Sequence, residues 1–246
     1  LLKTYWEDIF RVSKSLTARQ NLPNICELDL LRNMKKQKAI QAIEQEGILL
    51  VYPIKNSPEP DSLWAHLWPR SKMVWEWDAD ADHKVSDLWL LKEELSRSNK
   101  VVYAKWYQNR ATFFSQEAFV NMLAFQRTDS PLSHESATIL EALEMDSPLS
   151  TKQLKEIADL QGRDMESTYN RAMKALWQRL LIVAYGEIQD SSFPSTAVGA
   201  TKTLFEPLWE QSLKISSKEA EAYLMKKLGV DNKFWKFAKK ILPTQT

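Results

Sequence analysis

The chain has 246 residues, enough for one large domain or two ordinary ones, and its 44% hydrophobic content against 26% charged sets it outside the disordered class. Only 5 glycines occur, which argues against Gly-rich phosphate loops and against a sheet-dominated fold with many tight turns. A formal net charge of +1 excludes a global basic field, so any nucleic-acid surface has to be a local patch.

Cys26 is the single cysteine, which excludes an intramolecular disulfide and a cysteine-only metal cage. No apolar run approaches the roughly 18 residues that cross a bilayer. The opening Leu1 to Trp6 is followed at once by Glu7, Asp8 and Arg11, unlike a secretory leader. A cytoplasmic protein is the expectation.

In chain order, residues 28–42 read as a basic helix in which Arg32, Lys35, Lys36 and Lys38 lie close together, with Gly47 just past its end. Ile48 to Tyr52 is a short apolar run stopped by Pro53, a strand candidate. Residues 56–61 contain Pro58 and Pro60 and form a loop. Residues 78–83 are an acidic connector into an amphipathic helix over 87–97. Residues 101–107 and 111–114 are two strands around a turn at Gln108, Asn109 and Arg110, after which Ser115 caps a helix through Phe125.

Thr128 to Pro131 is polar and turn-prone, a natural boundary. A first helix over 134–145 repeats Ala137, Leu140 and Leu143 or Glu144 at helical steps, and Ser147-Pro148-Leu149 breaks it. Ser150 or Thr151 caps a short second helix with Leu154, Ile157 and Ala158, and a third spans residues 165–181. Ile182 to Tyr185 is a strand, residues 186–195 a loop and residues 201–205 a return strand. Three helices with a short second one, followed by a long-tipped hairpin, form the winged-helix order. The expected fold class is mainly α with small β elements (α+β). It comprises a mixed, mostly helical domain over 1–128, a winged helix over 129–215 and a helical basic and aromatic tail over 216–246.

On the third helix Met165, Tyr169, Ala172, Met173, Leu176 and Leu180 share a core-facing stripe. The opposite face presents Ser167, Asn170, Arg171, Lys174 and Gln178, a set of polar readers and phosphate-binding cations. Lys152 and Lys155 on the second helix and Arg163 in the turn can flank it. A merely solvated outer face accounts for the same pattern. The wing has no Lys or Arg between Glu187 and Ala200, which favours an alternative role as a protein-interaction scaffold. The tail from Asn232 to Leu242 interleaves lysines with Phe234, Trp235 and Phe237, suiting an anionic surface or, more simply, aromatics packed on the body.

Pro148 to Leu154, then Tyr169 to Leu176 and Leu180 to Val183, resemble the winged-helix core of the AlkZ-like DNA glycosylase superfamily. Upstream, Ser62-Leu63-Trp64, Asp87 to Lys92, Val102 to Lys105 and Phe113-Phe114-Ser115 resemble its reduced, AlkZ-related branch. The resemblance covers about two thirds of the chain and implies tandem winged helices that bind double-stranded DNA in repair of alkylated or crosslinked bases. The glycosylases' Gln-x-Gln or Gln-x-Asp motif is not readable in Ile43-Glu44-Gln45-Glu46-Gly47, and their Trp-x-His-x-Ala type segment has no histidine in Ala104 to Ala111. No catalytic residue is carried over. Glu44 and Glu46 are weak candidates, because residues two apart on a helix point about 200° apart. Asp78, Asp80, Asp82 and His83 fail the calcium-loop pattern, where His83 and Trp89 fall at the positions needing Gly and Glu. No metal and no cofactor is expected. The expected function is that of a DNA-associated, non-catalytic or weakly catalytic relative of these glycosylases.

Overall fold

The computed structural model describes residues 25–75, 82–189 and 194–242. Asp78 and Asp80 of the acidic connector and the middle of the expected wing, 190–193, lie outside the described residues. The chain divides into a unit of residues 1–35 and a unit of residues 36–246.

Helix α1 (Ile25–Glu46) has Ala39, Ile40 and Ile43 buried and Lys38 exposed. Strand β1 (Ile48–Leu50) is wholly buried, and the loop after it returns so that the Leu50 amide donates to the Asp61 carbonyl at 3.0 Å. Helix α2 (Leu63–Leu67) comes after that loop. Helix α3 (Lys84–Ser96) starts three residues earlier than its apolar pattern suggests and buries Val85, Leu88, Leu91 and Leu95. Strands β2 (Val101–Tyr107) and β3 (Arg110–Ser115) form a hairpin whose two turn residues, Gln108 and Asn109, have φ of 51° and 60°. Two successive left-handed residues match the twist of the strands they join. Helix α4 (Gln116–Gln126) is capped by Ser115, whose side chain accepts from the Ala118 amide, and it is buried from Ala118 onward.

Helix α5 (His134–Met145), strand β4 (Leu149–Ser150), helix α6 (Thr151–Ile157) and helix α7 (Glu166–Gln178) come next. Ser150 and Gln153 form a capping box at the start of α6, satisfying two amides that a helix end otherwise leaves bare. The buried face of α5 is Ser136, Ile139 and Leu143, rotated from the expected stripe, and Ala137 is exposed. The small Ser136 lets α7 approach, and its hydroxyl donates to the Ala172 carbonyl at 3.3 Å.

The return strand differs from expectation. Strand β5 (Ile182–Ile188) pairs with β6 (Ser195–Ala200), whereas Thr201–Leu204 is a short helix, α8. Pairing of Ile182 with Ala200 fixes the end of the hairpin, so residues after 200 have no strand opposite them. The small residues of β6 give little strand signal by themselves. Helices α9 (Glu206–Leu213), α10 (Ser217–Leu228) and α11 (Lys233–Ile241) complete the chain, with α9 and α10 packed on α4.

Among the described residues six strands form one antiparallel sheet in the order β1-β3-β2-β5-β6-β4, in an otherwise helical α+β fold. The joint between β2 and β5 is the pair Tyr103–Ala184, which links strands from either side of Thr128–Pro131. Three contacts from α3 and the residue that follows it brace it. The buried Lys92 Nζ lies 3.2 Å from Glu187 Oε1, the Ser96 hydroxyl accepts from the Gly186 amide at 2.9 Å, and Arg97 donates to the Glu187 carbonyl at 2.8 Å.

Gly186 has φ of 76°, and a Cβ there would lie 2.2 Å from the Arg97 guanidinium. Gly229 has φ of 88° with nothing within 4 Å of the same point. Gly186→Ala should therefore cost about 2 kcal/mol or more, and more than Gly229→Ala, because Arg97 must also leave Glu187. Urea midpoints of the two variants measure the difference. Lys92→Ala leaves the half-buried Glu187 carboxylate without its cation and should cost about 3 kcal/mol. Joint replacement of both by apolar residues of similar size should recover most of that loss in the same assay.

Candidate nucleic-acid interface

Helix α7 buries Tyr169, Ala172, Met173, Leu176 and Trp177, so its orientation is set by the core it closes. The opposite face leaves Asn170, Arg171 and Lys174 exposed together. Arg163 stands exposed in the turn ahead of it, and Lys152 is exposed in the first turn of α6. Lys155 is differently placed: it is half-buried, 2.5 Å from Glu166 Oε2 and 4.9 Å from the centroid of the Tyr169 ring. It ties α6 to the start of α7. The hydrogen bond from Lys155 holds the Glu166 carboxyl below its ordinary range.

Two recesses flank α7. On one side Thr168, Arg171 and Arg179 face Ser133 and Glu135 at the start of α5, around a volume of about 360 Å³. The Glu135 carboxyl is held below its ordinary value by its own amide, by the Ser133 hydroxyl and by the charges of His134 and Arg171.

On the other side Lys174 and Gln178 face the β2–β3 turn and α11, around a volume of about 500 Å³. The turn contributes Gln108 and Asn109, and α11 contributes Phe237, Lys240 and Ile241. Helix α11 is fixed there by its aromatics. Phe234 lies 5.2 Å from Tyr107, Trp235 lies 4.9 Å from Phe125, and Phe237 lies 5.1 Å from Trp106, ring centroid to ring centroid. The Asn232 side chain caps the helix by accepting from the Phe234 and Trp235 amides. The tail's aromatics thus pack on the body and leave Lys239 and Lys240 exposed.

Sequence reasoning identified α7 and the basic, aromatic tail separately but did not bring them together with Gln108 and Asn109. The charge and aromatic pattern of 232–242 was the signal, and only the packing of α7 and α11 against β2 makes it a site.

Glu44 and Glu46 do not join this surface. Helix α1 runs through Glu46, so the two carboxylates diverge as helical geometry requires, and the Glu44 carbonyl accepts from Lys227 Nζ at 3.0 Å. Among the described residues no group of three or more His, Cys, Asp or Glu side chains is placed to hold a metal, and no helix is long and apolar enough to cross a membrane.

A family model described as AlkZ related matches residues 34–240, which include nearly the whole of both recesses. The chain belongs to the AlkZ-related family. Membership gives it a glycosylase-like, DNA-repair kinship. No curated protein matches this AlkZ-related chain, and no solved structure does.

Tyr169, under the exposed face of α7, has its phenol pushed up to about 12, chiefly by burial. The folded state keeps that proton while the unfolded chain loses it near 10.0, so the stabilising contribution is complete below pH 10.0 and is lost as pH rises toward 12. The stability of the chain relative to a Tyr169→Phe variant should therefore fall across that window. Denaturant midpoints of both proteins on either side of pH 10.0 measure it.

Proposed function

We propose that this AlkZ-related protein associates with double-stranded DNA through the exposed face of α7, as a non-catalytic or weakly catalytic relative of alkylation- and crosslink-repair glycosylases. Residues 129–215 are then a winged helix, with α6 and α7 as its helix-turn-helix and β5–β6 as its wing. The order helix, edge strand, two helices and hairpin supports that assignment.

The observation that supports DNA most directly is the separation of faces on α7. Tyr169, Ala172, Met173 and Leu176 are buried while Asn170, Arg171 and Lys174 are exposed. A helix held by its apolar face and offering an amide, a guanidinium and an ammonium on the other is equipped for base edges and phosphates. Lys152 and Arg163 extend the cationic surface along the backbone of the duplex, whereas Lys155, neutralised by Glu166, holds α6 against α7. Near-neutral overall charge restricts binding to these few contacts, so affinity rests on local geometry.

The non-catalytic assignment rests on the absence of a Gln-x-Gln or Gln-x-Asp pattern at 43–47 and on the divergence of Glu44 and Glu46.

Fluorescence anisotropy with labelled duplex across a salt series tests the proposal. Affinity should fall as salt rises, and Arg171→Glu with Lys174→Glu should reduce the slope of log K against log salt by about two, as expected for two lost phosphate contacts. Both substitutions are on exposed positions and should leave the denaturant midpoint unchanged. Undetectable duplex binding at low salt would instead leave the scaffold role, which the cation-free wing favours. Base release from alkylated duplex should be absent or slow, and efficient release would overturn the non-catalytic assignment.

A further inference from the structure

The recess between α7, the β2–β3 turn and α11 has a composition that the duplex-facing surface of α7 does not explain. Its polar groups are three carboxamides, Gln108, Asn109 and Gln178, and two ammonium groups, Lys174 and Lys240. Its apolar groups are Phe237 and Ile241, both half-buried. Among the described residues no carboxylate lines it, in contrast to the recess on the other side of α7, which holds Glu135. Among the described residues neither Lys174 nor Lys240 has an ion-pair partner, whereas Lys155, Lys233 and Lys236 each have one.

Each feature constrains the occupant. Two unneutralised ammonium groups at the rim call for an anion. Carboxamides both donate and accept, so three of them suit a ligand with mixed donors and acceptors along one edge. An aromatic ring beside a branched aliphatic side chain offers an apolar surface to a flat group. A volume of about 500 Å³ admits a group of that size and no double helix. A nucleotide meets all four conditions, and it can present its base edge to the carboxamides only when that edge is not occupied by a pairing partner.

We propose that this recess binds one unpaired nucleotide of a DNA strand, with its base against Phe237 and Ile241, its pairing edge toward Gln108, Asn109 and Gln178, and its phosphates between Lys174 and Lys240. It deepens the DNA assignment above, on which it rests, by adding single-stranded or frayed DNA to the substrates of the same face. The occupant is a nucleotide within a strand, because Lys174 belongs both to the recess and to the exposed face of α7, and a continuous backbone links the two.

The test compares three fluorescently labelled probes: a blunt duplex, the same duplex with a single-stranded extension, and a single strand. Wild-type protein should bind the extended duplex about tenfold or more tightly than the blunt one, the range that base stacking on an aromatic side chain supplies. Lys240→Glu and Asn109→Gly should each remove most of that preference while changing blunt-duplex affinity less than about twofold. Both should fold. Lys240 is exposed, and glycine readily adopts the φ of 60° that Asn109 holds.

Equal affinity of wild type for blunt and extended duplex overturns the proposal, as does a preference that both variants retain. Displacement of the extension by a micromolar free deoxynucleoside monophosphate also overturns it, assigning the recess to a free nucleotide. Binding of the single strand without the blunt duplex, sensitive to Lys240→Glu, sustains the recess and sinks the duplex assignment. Binding of the blunt duplex without preference does the reverse.

Discussion

The joint between β2 and β5 is the constraint on which the rest of the fold depends. Its backbone component is small, the pair Tyr103–Ala184, and it is secured by groups that leave water only because they meet one another. Lys92 is pushed below its ordinary lysine value by burial, with Glu187 opposing that shift, and its ammonium lies 3.9 Å above the Trp89 ring centroid. Such a charge is tolerable in the interior only with an anion and a polarisable surface beside it. The register of β5 shifts between Ala184 and Glu187, and the positive φ of Gly186 falls inside that irregularity. An extra residue in one strand bends it and re-aims the side chains beyond the bend. Here Glu187 arrives at Lys92.

From that joint the position of the candidate surface can be traced. Helix α7 leads directly into β5, so the pairing that fixes β5 against β2 also fixes α7 against β2. Helix α11 reaches the same strand from the far end of the chain, with Phe237 against both Trp106 and Tyr107. The recess is the space left where two helices and a tight turn approach one strand. Its position depends on rigid packing, which suits a site whose charges must not collapse onto each other. Lys174 and Lys240 are held on separate helices, and each keeps its ammonium available to an anion.

Electrostatics on this protein are local. With a net charge of +1, long-range attraction contributes little, and the arrangement of individual cations matters more than their number. Lys155, Lys233 and Lys236 are engaged with Glu166, Glu59 and Asp231, while Lys174, Lys240, Lys152 and Arg163 are not so engaged among the described residues. Separating paired from unpaired cations reduces a basic helix and a basic tail to a few positions with the charge to spare for phosphate.

Much of the local structure was legible in the sequence because its causes are local. The span of α5 comes from Ser133, whose side chain accepts from the Ser136 amide, and from apolar residues at helical steps, the start of α6 from the Ser150–Gln153 pair, and the split of α7 into buried and exposed faces from a 3.6-residue period. Strand β6 was misplaced because Ser195 to Ala200 is built of small residues whose strand conformation comes from pairing with β5. The face of α5 was misjudged because burial of Ser136 depends on a carbonyl of α7, which no periodicity within α5 can report. The sequence by itself determined the three helices over 134–178, the caps at Ser115 and Ser150, the β2–β3 hairpin and the exposed cations of α7. Tertiary structure alone decided that one sheet runs from β1 to β4, that Lys92 meets Glu187, and that Asn109, Lys174 and Lys240 share a recess. Periodicity acts over a few residues, whereas those partners are brought together by strand pairing and core packing between segments remote in the chain.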